Sequence, residues 1–287
     1  MQEIAILTDS NSGISPAQAE QLGIFVLPMP FIIDGETYFE EINLSRAEFE
    51  KRQIEGADIS TSQPAVGDLT DLWQQLLKTH RTILHIPMSS GLSASCESAI
   101  MLAEDFGGRV QVVNNRRISV TLQQSAVDAV ALAAAGKNAR QIKEHLEKTS
   151  MDSSIYILMD TLQYLKKGGR ITPAAAAIGT ILNIKPVLQI QGDKLDSYAK
   201  ARGAKQGRKI MIDAIRNDLH TKFSGAASPE SIWLYVVYSD DVESGLGFKK
   251  EIESAFPGYD ISMAALPLSV ACHIGPGAIA FACCRKL

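Results

Sequence analysis

Two hydroxyl-rich stretches, one histidine beside a glycine–proline turn and one basic glycine motif carry the side chains that could do chemistry. The stretches are Ser60-Thr61-Ser62-Gln63-Pro64 and Ser89-Ser90-Gly91-Leu92-Ser93, each ahead of a predicted helix. Capping is the ordinary use of Ser and Thr there, but a cap takes one hydroxyl and each stretch offers several. Unpaired N–H groups and partial positive charge at a helix N-terminus favour an anion. In Cys272-His273-Ile274-Gly275-Pro276-Gly277 the turn would hold an imidazole stiffly. That arrangement suits a ligand-binding histidine and equally a histidine satisfied within the core. A Cys272–His273 nucleophile pair would need a third, orienting group, and adjacent residues diverge in direction. Tyr164 to Ile171, YLKKGGRI, reads as helix termination by Lys, Arg and Gly, with phosphate contact as the alternative reading. GxxxxGK[ST] and GxGxxG are both missing from the chain, so neither nucleotide signature supports that alternative. His80, His85, His145, His220 and His273 are scattered, and no metal spacing is expected.

These residues must be positioned by a well-packed chain. Its 287 residues suffice for two domains, and 46% hydrophobic against 21% charged residues argues against disorder. Net charge is −4 with no Lys/Arg-rich run, which gives no nucleic-acid footprint. Cys96, Cys272, Cys283 and Cys284 show neither CxxC spacing nor a paired framework, the usage of reduced thiols in a cytoplasmic protein. The first residues, MQEIAILTDSNSG, lack a basic n-region and a cleavable apolar stretch, so no signal peptide is expected. Pro267, His273, Gly275, Pro276 and Gly277 interrupt the apolar run Ala264–Cys284, so no integral membrane segment is expected.

Apolar runs and helical spacing alternate over residues 1–150. Strands are predicted at Ile4–Thr8, Ile24–Leu27, Thr82–Met88 and Arg109–Val113, with helices at Pro16–Leu22, from Ser45 through Arg52, around Leu69–Leu77, from near Ser93, at Ser119–Ala135 and at Ala139–Lys148. Alternation of this kind predicts a mostly parallel sheet with helices on both faces. Ligands of such sheets bind beyond the carboxyl ends of the strands. Asp34-Gly35 marks a hairpin. Residues 151–287 mix hairpin signals, as around Gly192-Asp193, with helices such as Lys205–Leu219, and predict a second, α+β domain.

Six motifs in order resemble the DegV family, bacterial fatty-acid-binding proteins similar to the binding subunit of fatty acid kinase. They are Thr8-Asp9-Ser10, TSQP at Thr61–Pro64, SSGLS at Ser89–Ser93, YLKKGGRI at Tyr164–Ile171, IKP at Ile184–Pro186 and HIGPG at His273–Gly277. The resemblance implies two α/β domains with one long-chain fatty acid, such as hexadecanoate, between them. It implies that Thr61, Ser93 and His273 hold the carboxylate. It further implies delivery to a separate ATP-dependent fatty acid kinase subunit that makes the acyl-phosphate, with Arg202 at the docking position. The chain would then be a carrier, not an enzyme, with no catalytic residue and no cofactor besides its ligand. Two positions depart from the family pattern. Ala94-Ser95 stands where Gly-Thr is usual, and Asn114-Asn115 where Asp-Ser is usual.

Tail burial is worth roughly 0.8 kcal/mol per CH₂, so a head-group site with little fixed positive charge is expected. Ala174–Leu182 and Leu266–Val270 are candidate tunnel walls and equally ordinary core. The other open readings are a hydrolase using a serine with His273, a small-molecule phosphotransferase, and a lipid-sensing regulatory protein.

Overall fold

The structure, a computed structural model, describes residues 2–178, 184–192, 194–223 and 227–287. Contacts divide the chain into two compact units, Met1–Ser150 with Pro267–Ser269, and Met151–Leu266 with Val270–Leu287. Three residues from the expected 151–287 stretch thus pack with the first unit. Hydrogen bonds account for this: the Leu268 N–H donates to both carboxylate oxygens of Glu40, and Ser269 Oγ donates to Asn11 Oδ1.

In chain order the first unit's strands are β1 (Gln2–Asp9), β2 (Ile24–Leu27), β3 (Pro30–Ile33), β4 (Glu36–Phe39), β5 (Ile59–Thr61), β6 (His80–Ile86) and β7 (Val110–Val112). A four-stranded parallel sheet runs β2-β1-β6-β7. Side chains alternate between its faces with period two. Ala5, Leu7 and Ile83 therefore share one face, and Asp9 and His85 continue it toward the carboxyl ends. That face packs in one core with Leu69, Trp73 and Leu76 of helix Val66–Leu76 and with Cys96 and Ala99 of helix Ser95–Ala103. Leu69, Trp73 and Leu76 sit at i, i+4 and i+7, the stripe an amphipathic helix buries. Helices Ser119–Ala134 and Ala139–Lys148 flank the sheet as well, touching β1, β6 and β7.

A three-stranded antiparallel sheet, β4-β3-β5, completes the unit. Asp34 and Gly35 turn β3 into β4 with φ of 51° and 89°, the conformation two-residue hairpins favour. Ile59–Thr61, which carries no strand prediction from the sequence, is a strand whose Thr61 pairs with Phe31. Pairing across such a sequence separation is set by the partner strand and not by local pattern.

The second unit carries β8 (Ser153–Leu158), β9 (Lys185–Ile190), β10 (Asp196–Ala201), β11 (Ile232–Tyr238), β12 (Ile261–Ala265) and β13 (Ile279–Arg285). They form one sheet, β10-β9-β8-β13-β11-β12, in which β11 and β12 are parallel and the other neighbours antiparallel. Helices Ala204–Thr221 and Val242–Ala255 place Met211, Ile215, Phe248 and Ile252 in one core with Leu158, Val236 and Phe281. Of the hairpin expected around Gly192-Asp193, both strands form, and Asp193 lies outside the described residues. The helix expected over Ala174–Leu182 spans Pro173–Ile178, and residues 179–183 lie outside the described ones. Helix Leu268–Ile274 was not expected. It has seven residues between Pro267 and Gly275, too few for a helical period to show.

Candidate functional site

The first unit supplies the two hydroxyl stretches, and its Thr-Asp-Ser motif holds the surrounding loops. Thr8 Oγ1 donates to the Ile86 carbonyl, and the Met29 N–H donates to Ser10 Oγ. Between them, Asp9 Oδ2 accepts the Met88 N–H at 2.8 Å. Its Oδ1 accepts from the Asn11 backbone N–H at 3.0 Å and from Asn11 Nδ2 at 2.8 Å. All three motif residues thus fasten neighbouring strand ends. Burial raises the Asp9 carboxyl to about 6 against the lowering by these donors.

Strand β6 spans His80–Ile86, two residues earlier than expected, and the next helix begins at Ser95 instead of near Ser93. The reason is a turn: the Leu92 and Ser93 N–H groups both donate to the Ser89 carbonyl. Ser93 is half-buried, and its Oγ accepts the Ser95 N–H at 3.2 Å. Thr61 is half-buried at the end of β5. Ser98 Oγ donates to Gln63 Oε1, so the second stretch's helix is fastened to the first stretch. Asn114 Nδ2 donates to Ser90 Oγ, which ties one departure from the family pattern to the serine loop. Ala94, the other departure, is exposed at the helix cap.

Asp9, His85 and Ser95 line one pocket together with Gln63, Pro64 and Leu69. Residue types match a nucleophilic triad, but the hydrogen bonding does not. The Asp9 carboxylate is occupied by Asn11 and Met88, while both ring nitrogens of His85 and the Ser95 hydroxyl have no hydrogen-bond partner among the described residues. Burial beside Trp73 also holds the His85 imidazole down at about 3, too weak a base for a hydrolase at neutral pH. Sequence reasoning overlooked His85 because an apolar run hides it; the signal is the strand's alternation, which sends it to the core face.

A stability consequence follows from that imidazole. The unfolded chain takes up a proton below 6.5 whereas the folded chain resists until about 3, so stability is lost as pH falls through this window. His85→Leu removes the linkage, and its urea midpoint is expected to fall less than that of the wild type between pH 7 and pH 5, by about 2 kcal/mol in free energy. Equal falls in both proteins would refute the assignment.

The second unit supplies His273, on helix Leu268–Ile274, and the YLKKGGRI motif packs directly against it. A Cβ on Gly168 would lie 2.4 Å from His273 Nδ1, and one on Gly275 would lie 2.3 Å from Tyr164 Cδ2. The two glycine motifs therefore exist as a pair, each leaving room for a ring from the other. His273 is half-buried and lowered to about 4, first by burial and then by the Arg170 charge, so the ring is neutral at pH 7. Cys272 is pushed up to about 12 by burial, which leaves a thiol and removes the nucleophile pair weighed above. Fixed positive charge lies near this side: Arg170 acts on both residues and Lys167 on Cys272. Arg170 belonged to a quoted motif; its closeness to His273 depends on a helix the sequence does not announce.

Arg202 is exposed just after β10, its N–H donating to Gln206 Oε1 at 2.6 Å. Of the candidate tunnel walls, Leu266 and Leu268 are buried and Val270 is half-buried; Ala175 is buried while Ala174 and Ala177 are exposed. Among the described residues no three His, Cys, Asp or Glu side chains gather to hold a metal, and no helix is long and apolar enough to cross a membrane.

Comparison with known proteins gives concordant findings. The sequence model of an uncharacterised protein family, the DegV family, matches residues 3–286. A DegV domain-containing protein of Listeria innocua is 31% identical over 281 residues, covering 97% of each chain. A solved DegV family protein from Thermus thermophilus, described as fatty acid binding, superposes with a TM-score of 0.89 at 28% identity, covering 99% of this chain and 100% of that one. A stearic acid-binding protein from Eubacterium ventriosum shares the fold, with a TM-score of 0.86 at 23% identity over 100% of this chain and 99% of that one.

Proposed function

This chain belongs to the DegV family, and we propose on that footing that it binds one long-chain fatty acid as a non-catalytic carrier. The observation that carries the reading is the end-to-end likeness to the Thermus protein described as fatty acid binding. Thr61 and Ser93 donate hydroxyl hydrogens to the carboxylate, and the neutral imidazole of His273 donates one N–H. The Ser95 N–H on Ser93 Oγ supports this role, since it leaves the hydroxyl proton available to a ligand. Three uncharged donors orient the head group while tail burial, roughly 0.8 kcal/mol per CH₂, supplies most of the affinity. A carboxylate held this way stays reactive toward a separate ATP-dependent kinase subunit, which phosphorylates it while it remains on the carrier. Exposed Arg202 is the proposed docking residue for that subunit. We place the boundary between the two lobes near Met151 and the protein in the cytoplasm.

Denaturation of protein purified without added lipid, followed by mass spectrometry, is expected to release a fatty acid. Ser93→Ala or His273→Ala is expected to weaken oleate or palmitate binding about 10- to 100-fold, the loss of one hydrogen bond to a charged group. No acyl chain, and no uptake of added oleate or palmitate, would sink the proposal. Arg202→Ala should slow acyl-phosphate formation by the kinase without changing lipid affinity; an unchanged rate removes Arg202 from docking.

A further inference from the structure

We propose that one ordered water molecule is a fixed component of this protein, bridging the His85 imidazole and the Ser95 hydroxyl in the pocket behind the serine loop. The space and the chemistry both select it. The pocket, which is partly open to solvent, leaves about 20 Å³ for water, and a single water needs about 10–15 Å³ with two to four polar partners.

The partners are present and otherwise unused. His85 is 2% exposed and Ser95 8% exposed, and both ring nitrogens and Ser95 Oγ lack a hydrogen-bond partner among the described residues. Each buried polar group left so costs about 1–3 kcal/mol. A neutral imidazole offers one N–H and one lone pair, and a serine hydroxyl can donate or accept. Water complements either arrangement. The remaining polar residues of the pocket are already engaged: Asp9 with Asn11 and Met88, and Gln63 with Ser98. One imidazole and one hydroxyl are too few ligands for a structural metal.

The water would link the end of β6 to the first turn of helix Ser95–Ala103. Ser95 also donates its N–H to Ser93 Oγ, so the water stands directly behind the serine loop. The inference holds whatever ligand that loop binds, because nothing in it uses the ligand.

The test uses the full chain. A high-resolution crystal structure is expected to show a density peak within hydrogen-bonding distance of a His85 ring nitrogen and of Ser95 Oγ. In solution, magnetisation transfer from a long-lived water to the His85 ring protons is expected, and Ser95→Ala, which deletes one oxygen atom, should abolish it. His85→Leu should remove the density peak as a second, independent variant. An empty pocket without magnetisation transfer, or a direct His85–Ser95 hydrogen bond that closes the cavity, would overturn the proposal.

Discussion

Gly275→Ala is expected to lower the free energy of unfolding by about 2–5 kcal/mol, read as a drop in urea midpoint with an unchanged slope. Two separate costs combine. Gly275 has φ of +83°, a left-handed conformation that costs an L-residue about 1–2 kcal/mol. The added Cβ would also sit 2.3 Å from Tyr164 Cδ2 and 2.7 Å from Cε2, so ring or turn must move. Overpacking of that kind typically costs about 1–3 kcal/mol. The two parts separate in a double-mutant cycle with Tyr164→Ala, because the collision disappears in the double variant while the backbone cost persists. A loss below about 1 kcal/mol, or no coupling to Tyr164, would show that this packing is not the determinant. Gly168→Ala is the informative companion. Its Cβ would meet the His273 ring, 2.4 Å from Nδ1, and Gly168 lacks the positive φ. Its effect is expected to fall on fatty acid affinity more than on stability, by displacing the imidazole.

Asp9→Ala is expected to cost about 2–4 kcal/mol at pH 5, since it strands three donors, each worth about 1–3 kcal/mol when buried unpaired and partly relieved by rearrangement. The donors are the Met88 and Asn11 backbone N–H groups and Asn11 Nδ2. The pH dependence has a definite sign. Burial raises the folded-state value from the ordinary 3.8 to about 6, so the fold prefers the protonated group and the wild type loses stability as pH rises through that window. Asp9→Ala lacks this slope, and its penalty should narrow by about 1 kcal/mol between pH 5 and pH 7.5. A penalty that widens instead would mean the carboxylate is stabilised in its charged form. This slope is opposite to that of His85, so the two variants tilt the stability profile in contrasting directions. Because Met88 opens the serine loop, Asp9→Ala should also weaken lipid binding, and restoration of binding at saturating ligand would identify the loss as one of loop position.

Much of the scaffold was legible because it is written in local pattern. Ile24–Leu27, Pro16–Leu22 and Ala139–Lys148 run between the residues that period and punctuation indicate, and the Asp34-Gly35 turn forms as its dipeptide requires. Boundaries failed where tertiary contacts outrank propensity. The helix after the serine loop starts at Ser95 because the loop first turns on the Ser89 carbonyl, and Thr61 joins a strand because Phe31 is there to pair with it.

Ordered motifs along the chain carry its family membership and the candidate residues Thr61, Ser93 and His273, since residue type and order are one-dimensional properties. Tertiary structure alone decided what surrounds them. His273 rests on a seven-residue helix without a visible period, against a glycine a hundred residues earlier in the chain, with Arg170 adding charge. His85, one apolar-run residue among several by sequence, became a buried neutral ring in a mostly apolar pocket through sheet alternation and the packing of Trp73. Burial and electrostatic environment arise from neighbours distant in sequence. A linear pattern can therefore name a candidate carboxylate-binding set, but the protonation state of its histidine appears only when the chain has folded around it.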